Sequence, residues 1–413
     1  MVLFLHNRYR TTGGEERVVN ELLALVRDRL GEPAELLERD SAKFGNARAA
    51  AGLLRGGLAP RDVAKAVRMT GARVVHAHNL NPMFGWRALA AARAEGARVV
   101  LHLHQYRLVC ATGVCFTDGR ECTRCHGRNT LPGVIHNCRG SRSEALAYGA
   151  SLALWQRRLV EQADAVIVPS LFARDRLREL GAPLDFARVQ VLPPPVSVTD
   201  SVLPAGASGD GVGLKVDGVA VPSYSAAGSE LGSASFLPGH SGRAGGYALV
   251  VSRLAPEKGV DVAIDACRIA GVPLVIAGEG PELDALRARA SRGDVRFAGH
   301  VDDAELDRLR AGAAVAIAPS RSAETFGMAA AEAMAAGVPV VASRIGALPE
   351  LVEEAGLVEP GNPAALVQAI ERLWGDMGAG ARGRARVREL CAPSAIAGAL
   401  TRVYDRAVAA SPG

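Results

Sequence analysis

Short runs of Val, Ile, Leu and Ala recur along this chain, separated by longer segments of helical period. The runs in its first part are "VLFLH" at 2–6, "RVVHAH" at 73–78, "RVVLHLH" at 98–104 and "AVIVPS" at 165–170. Later come "YALVVS" at 247–252, "PLVIAG" at 273–278, "AVAIAP" at 314–319 and "PVVAS" at 339–343. A strand that is apolar at every position must bury both of its faces. Alternation with helices therefore points to parallel sheets covered on both sides. The first helical segment fits: in "ERVVNELLALVRDRL", Val18, Val19, Leu22, Leu23, Val26 and Leu30 fall on one face.

One segment breaks the alternation. Residues 197–245 are rich in Gly, Ser and Ala and show no sustained period, the composition of a flexible linker. They divide the 413 residues into halves at 1–196 and 246–413, each long enough for a full domain. The expected architecture is two doubly wound, Rossmann-like parallel-sheet domains facing across a cleft, with ligands at the C-terminal ends of the strands.

The net charge of +5 comes almost wholly from Arg, since only Lys43, Lys65, Lys215 and Lys258 are lysines. With no basic arm and no nucleic-acid motif, nucleic acid is excluded as a partner. A mildly basic surface still suits an acidic substrate or an anionic membrane face. No apolar run approaches the roughly 18 residues of a spanning helix. The N-terminus "MVLFLHNRYR" lacks a basic n-region and a cleavage site. The expected location is cytoplasmic, with peripheral contact on the cytoplasmic membrane face left open. Cys110, Cys115, Cys122, Cys125 and Cys138 cluster, and in a reducing compartment clustering favours thiolate ligands over disulfides.

In the second half, "VVSRLAPEKGVDVAI" puts Arg253 and Lys258 at the C-terminal end of a strand, where two cations can neutralise a diphosphate without metal. The segment "AETFGMAAAEAMAAG" holds Glu324 and Glu332 eight residues apart among small, apolar neighbours. Eight helical residues rise about 12 Å, a separation that suits the two ends of a nucleotide sugar. Glu324 would accept from sugar hydroxyls and Glu332 from the ribose. The diphosphate between them would lie over the N–H groups of Gly327 and Met328 at the helix N-terminus.

"PSRSAETFGMAAAEAMAAGVPVVAS" and "SRLAPEKG" resemble the donor-binding motifs of the family-4 retaining glycosyltransferases of the two-domain GT-B fold, including their E-x7-E signature at Glu324 and Glu332. Phe326, two residues after the first acid, belongs to the same motif. "AGEGPE" at 277–282 and "FAGHV" at 297–301 fall in the right order. The resemblance implies that backbone near Gly299 holds the base. It also implies that a Gly-rich turn of the first domain, here Gly13 and Gly14 in "TTGGEERVV", reaches toward the donor from the opposite wall. A functional His follows the strand that corresponds to "VVLHLH". A subset of the family reads H-N/D-Y before a Cys-containing insertion, and His104-Gln105-Tyr106 matches except at Gln105. His104 is the expected residue, with His78 second.

The insertion, at about 107–140, carries Cys110, Cys122, Cys125 and Cys138 in the spacing C-x11-C-x2-C-x12-C. Four thiolates would suit a tetrahedral structural zinc, and reduced, partly buried thiols are the equal alternative.

The resemblance thus implies a metal-independent retaining glycosyltransferase. It would move a hexosyl unit from a UDP- or GDP-sugar to a glycan, lipid-linked or small-molecule acceptor hydroxyl, with His104, Arg253, Lys258 and Glu324 in catalysis and no cofactor required. The sequence contains no Asp-x-Asp. A GT-B sugar-nucleotide epimerase or phosphorylase, or a nucleotide-sugar-binding protein without turnover, are the alternatives. A dinucleotide oxidoreductase would need a G-x-G-x-x-G after an early strand, which the chain lacks.

Overall fold

The computed structural model describes residues 1–9, 13–198 and 246–409. The linker expected at 197–245 lies, from residue 199 on, outside the described residues.

Two six-stranded sheets carry the chain, and every pairing within them is parallel. The first sheet runs, in spatial order, Ala34–Asp40, Val2–Arg8, Val74–Ala77, Arg98–His102, Ala165–Val168 and Val189–Val191. The second runs Val295–Gly299, Leu274–Ala277, Tyr247–Val251, Ala313–Ala318, Val340–Ser343 and Leu357–Val358. Its order reverses between Tyr247–Val251 and Ala313–Ala318, so the loops after these two strands part to opposite faces and leave a crevice between them. The first sheet reverses likewise between Val2–Arg8 and Val74–Ala77.

The helix Gly14–Asp28 lays Val18, Val19, Leu22 and Val26 against Val2, Phe4, Val74, Val100 and Ile167 of the first sheet. The final helix, Pro393–Ala409, packs on the same face through Ile396, Leu400, Val403 and Tyr404. Sequence division at 246–413 assigned that helix to the second half. Its apolar stripe instead completes the cover of the first sheet, where burying each such side chain stabilises by about 1.5–3 kcal/mol. The chain thus crosses between the halves twice. Where the crossings meet, the Val196 N–H donates to the Cys391 carbonyl at 2.9 Å.

Residues of the Cys-rich insertion form the hairpin Phe116–Thr117 with Arg120–Glu121 and the short helix Leu131–Ile135. No helix among the described residues is long and apolar enough to cross a membrane.

Candidate active site

A cleft of about 2000 Å³ lies where the C-terminal ends of the two sheets face each other. Gly13, Gly14 and His104 line it from the first half, and Arg253, Lys258, Glu324, Phe326, Gly327, Met328 and Glu332 from the second. Gly299 does not line it, although the next residue, His300, does. Gly299 ends its strand with its carbonyl accepting from the Gly278 N–H at 2.7 Å.

The second wall is built at the crevice of its sheet. After the strand Tyr247–Val251 the chain turns through Pro256–Lys258 into Gly259, whose φ is +64°. A Cβ on Gly259 would stand 2.1 Å from the Pro319 carbonyl oxygen, so only glycine lets this turn lie against the end of the neighbouring strand. That approach brings Lys258 to Glu324. The Lys258 Nζ and the Ser320 hydroxyl both donate to Glu324 Oε1, each at 2.6 Å. Burial pushes the Glu324 carboxyl up, but the Lys258 charge and the two hydrogen bonds outweigh it and hold the group below the usual range. Arg253 pairs in turn with the buried carboxylate of Glu257. Both cations of the wall therefore have an acid partner.

The helix Met328–Ala335 begins at Gly327, φ +103°, where a Cβ would come within 2.6 Å of Leu348. Phe326, only 8% exposed, shares an apolar cluster with Leu348 and Ala330 and anchors the turn. The first turn of this helix lines the cleft, so its unpaired N–H groups and dipole favour an anion there. Further along, Glu332 is held from both sides. Its Oε1 accepts from Arg17 of the first half at 2.8 Å, and its Oε2 accepts from Arg310. Glu21, one turn beyond Arg17, is pushed up to about 7 by burial and by the Glu332 charge, with Arg17 opposing.

On the first wall, Glu16 accepts from the Gly13 N–H at 2.8 Å and the Tyr9 N–H at 3.0 Å, which pins the glycine turn. A Cβ on Gly14 would meet Met328 at 3.8 Å, van der Waals contact between the two walls. His104 follows the strand Arg98–His102. Its carbonyl accepts from the Thr325 hydroxyl at 2.8 Å, and the Ser170 hydroxyl donates to the Thr325 carbonyl at 2.7 Å. His104 thus meets the residue directly after Glu324. Burial holds its imidazole below the ordinary value, against the pull of Glu15, so the ring is neutral at pH 7. Its Nε2 lies 2.8 Å from His78 Nδ1.

Sequence reasoning did not find Ser320, Thr325, Arg17 or Arg310. Ser320 and Thr325 flank Glu324 and could have been read as hydrogen-bonding neighbours of the motif. Arg17 and Arg310 reach Glu332 only through the fold, and nothing local marks them.

Cys110, Cys115, Cys122, Cys125 and Cys138 surround one cavity of about 20 Å³ together with His136. None is in a disulfide. This soft donor set suits zinc in its chemistry. Its sulfurs are not gathered to the spacing seen at His76, His78 and His102, whose nitrogens lie within 4.8 Å of one another. Burial pushes Cys125 up to about 11, which makes it a neutral thiol at pH 7 when metal-free.

Two family profiles match the chain: residues 13–195 match Glycosyl transferase 4-like domain, and residues 245–376 match Glycosyl transferases group 1. A GDP-mannose-dependent alpha-(1-6)-phosphatidylinositol dimannoside mannosyltransferase of Mycobacterium tuberculosis is 40% identical over 128 residues, 29% of this chain and 33% of its own length. The O-antigen chain mannosyltransferase B of Escherichia coli is 36% identical over 135 residues, 30% of this chain and 35% of its own. The chain thus spans about a third of the length of the curated relatives it matches. Two solved structures share the fold. Sucrose-phosphate synthase from Thermosynechococcus elongatus has a TM-score of 0.67 at 18% identity and covers 99% of both chains. HepE of Anabaena, solved in complex with UDP and glucose, has a TM-score of 0.59 at 19% identity over 98% of this chain and 99% of its own.

Proposed function

We propose, for a chain whose two halves match the glycosyl transferase 4-like and glycosyl transferases group 1 profiles, that it transfers a sugar from a UDP- or GDP-sugar to an acceptor hydroxyl with retention of configuration and without metal. The observation that carries this reading is one cleft with Arg253, Lys258, Glu324 and a helix N-terminus on one wall and the glycine turn and His104 on the other.

The diphosphate lies over Gly327 and Met328 and draws Arg253 and Lys258 to it. Glu257 and Glu324 hold these cations ready in the free protein, so no charge is desolvated unpaired before the donor arrives. As the bond from the anomeric carbon to the diphosphate oxygen breaks, negative charge grows on that oxygen. The two cations and the helix dipole are aimed at it in advance. The acceptor hydroxyl attacks from the same face and passes its proton to the departing oxygen, which needs no carboxylate nucleophile. Glu324 orients the sugar, His104 contacts it from the opposite wall, and Glu332 takes the ribose in place of part of its arginine clamp. Closing the halves over the donor excludes water that would otherwise hydrolyse it.

The names of the relatives support GDP-mannose as the first donor to try, and lipid-linked or glycan acceptors, and the HepE complex with UDP and glucose makes UDP-sugars the second. The Cys cavity is proposed to hold a structural zinc through Cys110, Cys122, Cys125 and Cys138, which would staple the insertion beside the acceptor side of the cleft. The test of function is release of nucleoside diphosphate from a panel of UDP- and GDP-sugars, with the product sugar analysed. Free sugar phosphate or an epimerised donor as the main product would replace transfer by phosphorolysis or epimerisation.

A further inference from the structure

Three histidines that the proposed chemistry leaves unused, His76, His78 and His102, form an ordered array with His104 behind the first wall of the cleft. His78 and His104 lie edge to edge: their rings are 15° apart with centroids at 5.1 Å, and His78 Nδ1 is 2.8 Å from His104 Nε2. His76 and His102 repeat the arrangement one layer deeper, at 9°, 5.4 Å and a nitrogen separation of 3.3 Å. The two layers stack, with His102 over His104 at 4.2 Å and His76 over His78 at 4.5 Å. The Tyr404 hydroxyl, on the final helix, caps the deeper layer 2.8 Å from His76 Nδ1.

From this array we infer that His78 is a positioning residue that fixes His104 as a neutral ring protonated on Nδ1. The inference rests on the reading that His104 contacts the donor sugar. In a hydrogen-bonded pair of neutral imidazoles one ring donates and the other accepts, and the partner of one nitrogen decides which nitrogen bears the proton. His78 is buried, and its Nε2 has no hydrogen-bond partner. If that atom carried the proton it would be an orphaned N–H, which folded proteins tolerate less readily than an under-satisfied acceptor. The proton of His78 therefore sits on Nδ1 and is donated to His104 Nε2. His104, which lines the cleft, keeps its own proton on Nδ1. It meets a ligand there as a hydrogen-bond donor and not as a base. Stacking on His102 prevents the ring from turning to exchange the two nitrogens. Burial keeps His76, His78 and His102 neutral as well, so no imidazolium disturbs the order.

The nitrogens of His76, His78 and His102 are close enough for a metal ion. Edge-to-edge pairing nevertheless spends the facing nitrogens of His76 and His102 on each other, and the His78 Nδ1 on His104, in place of a shared centre.

The test uses the full chain labelled with 15N-histidine, the His104 signals being assigned with His104→Gln. Long-range proton–nitrogen spectra should show His104 protonated on Nδ1; protonation on Nε2 would overturn the inference whatever the kinetics. His78→Leu should lower kcat roughly tenfold with the donor KM within about twofold. His78→Asn, which restores an N–H near the Nδ1 position, should recover most of the loss. Full turnover in His78→Leu, or His78→Asn no faster than His78→Leu, would contradict it. So would stoichiometric zinc that departs with His78→Leu but stays in Cys122→Ser. If His104→Ala itself keeps its turnover, the role of His104 in transfer fails separately, and the spectra still decide the tautomer.

Discussion

Lys258 Nζ and Glu324 Oε1 stand 2.6 Å apart across the crevice where the strand order of the second sheet reverses. Each side chain comes from the loop after a different central strand, and glycine at 259 lets those loops touch. The pair keeps the free site neutral and gives Lys258 up to a stronger anion. Lys258→Ala is expected to lower transfer by at least two orders of magnitude, roughly 3 kcal/mol of transition-state stabilisation. Single-turnover kinetics at saturating donor checks this. A loss confined to KM would assign Lys258 to binding alone.

Glu332 accepts from Arg17 and Arg310, so in the free protein the proposed ribose ligand is already ordered. Glu332→Ala should weaken donor affinity by about tenfold or more, on the order of 1.4 kcal/mol, with a smaller effect on kcat. Calorimetric titration with nucleotide sugar reads it directly, and unchanged affinity would remove the ribose contact.

Glu21 supplies a pH dependence. Its folded-state value, raised from 4.5 to about 7, lies above the unfolded one. The contribution it makes is complete below the unfolded value and is lost as pH rises through the folded one, because the unfolded chain releases this proton first. Glu21→Gln removes that loss. After discounting for the partial exposure of the group, the variant should be more stable than the parent by about 1–2 kcal/mol at pH 8.5 and equal to it near pH 4.5. Urea unfolding at the two pH values measures the difference, and equal stability at both would show that Glu21 ionises freely.

The thiol cavity predicts about one zinc per chain, with Cys122→Ser lowering both metal content and melting temperature. Proton release on adding zinc to metal-free protein should accompany binding, since Cys125 is a neutral thiol before it. A metal-free preparation of full stability would leave the five thiols as packing residues.

The sequence carries the inner strands of both sheets in its apolar runs and leaves the outer ones unmarked. The eight apolar runs it marked are the eight inner strands of the two sheets. The four it passed over, Ala34–Asp40, Val189–Val191, Val295–Gly299 and Leu357–Val358, are the outer ones. An outer strand pairs on one side only and can be polar or short. Ala34–Asp40 carries Glu35, Glu38, Arg39 and Asp40, and Leu357–Val358 has two residues. The final helix was assigned to the second half because its sequence neighbours lie there. Its packing partner is more than 300 residues away at His76, as the 328-residue separation from Tyr404 shows, and no local pattern encodes that. At the cleft, residues inside contiguous motifs were legible. The histidine array depends on parallel strands being set side by side, which periodicity announces but does not register, and Arg17 and Arg310, on two separate helices, converge on Glu332 of a third.

The central claim is that one metal-free cleft binds and activates a nucleotide sugar between the two halves. The most direct measurement is nucleoside diphosphate release from UDP- and GDP-sugars in EDTA, by the parent chain and by Lys258→Ala, with the anomeric configuration of the product read by NMR. The account predicts release from at least one donor, a product of retained configuration, and at least a hundredfold loss in the variant. Release that appears only on adding magnesium or manganese, an inverted product, or equal rates in the two chains would contradict it.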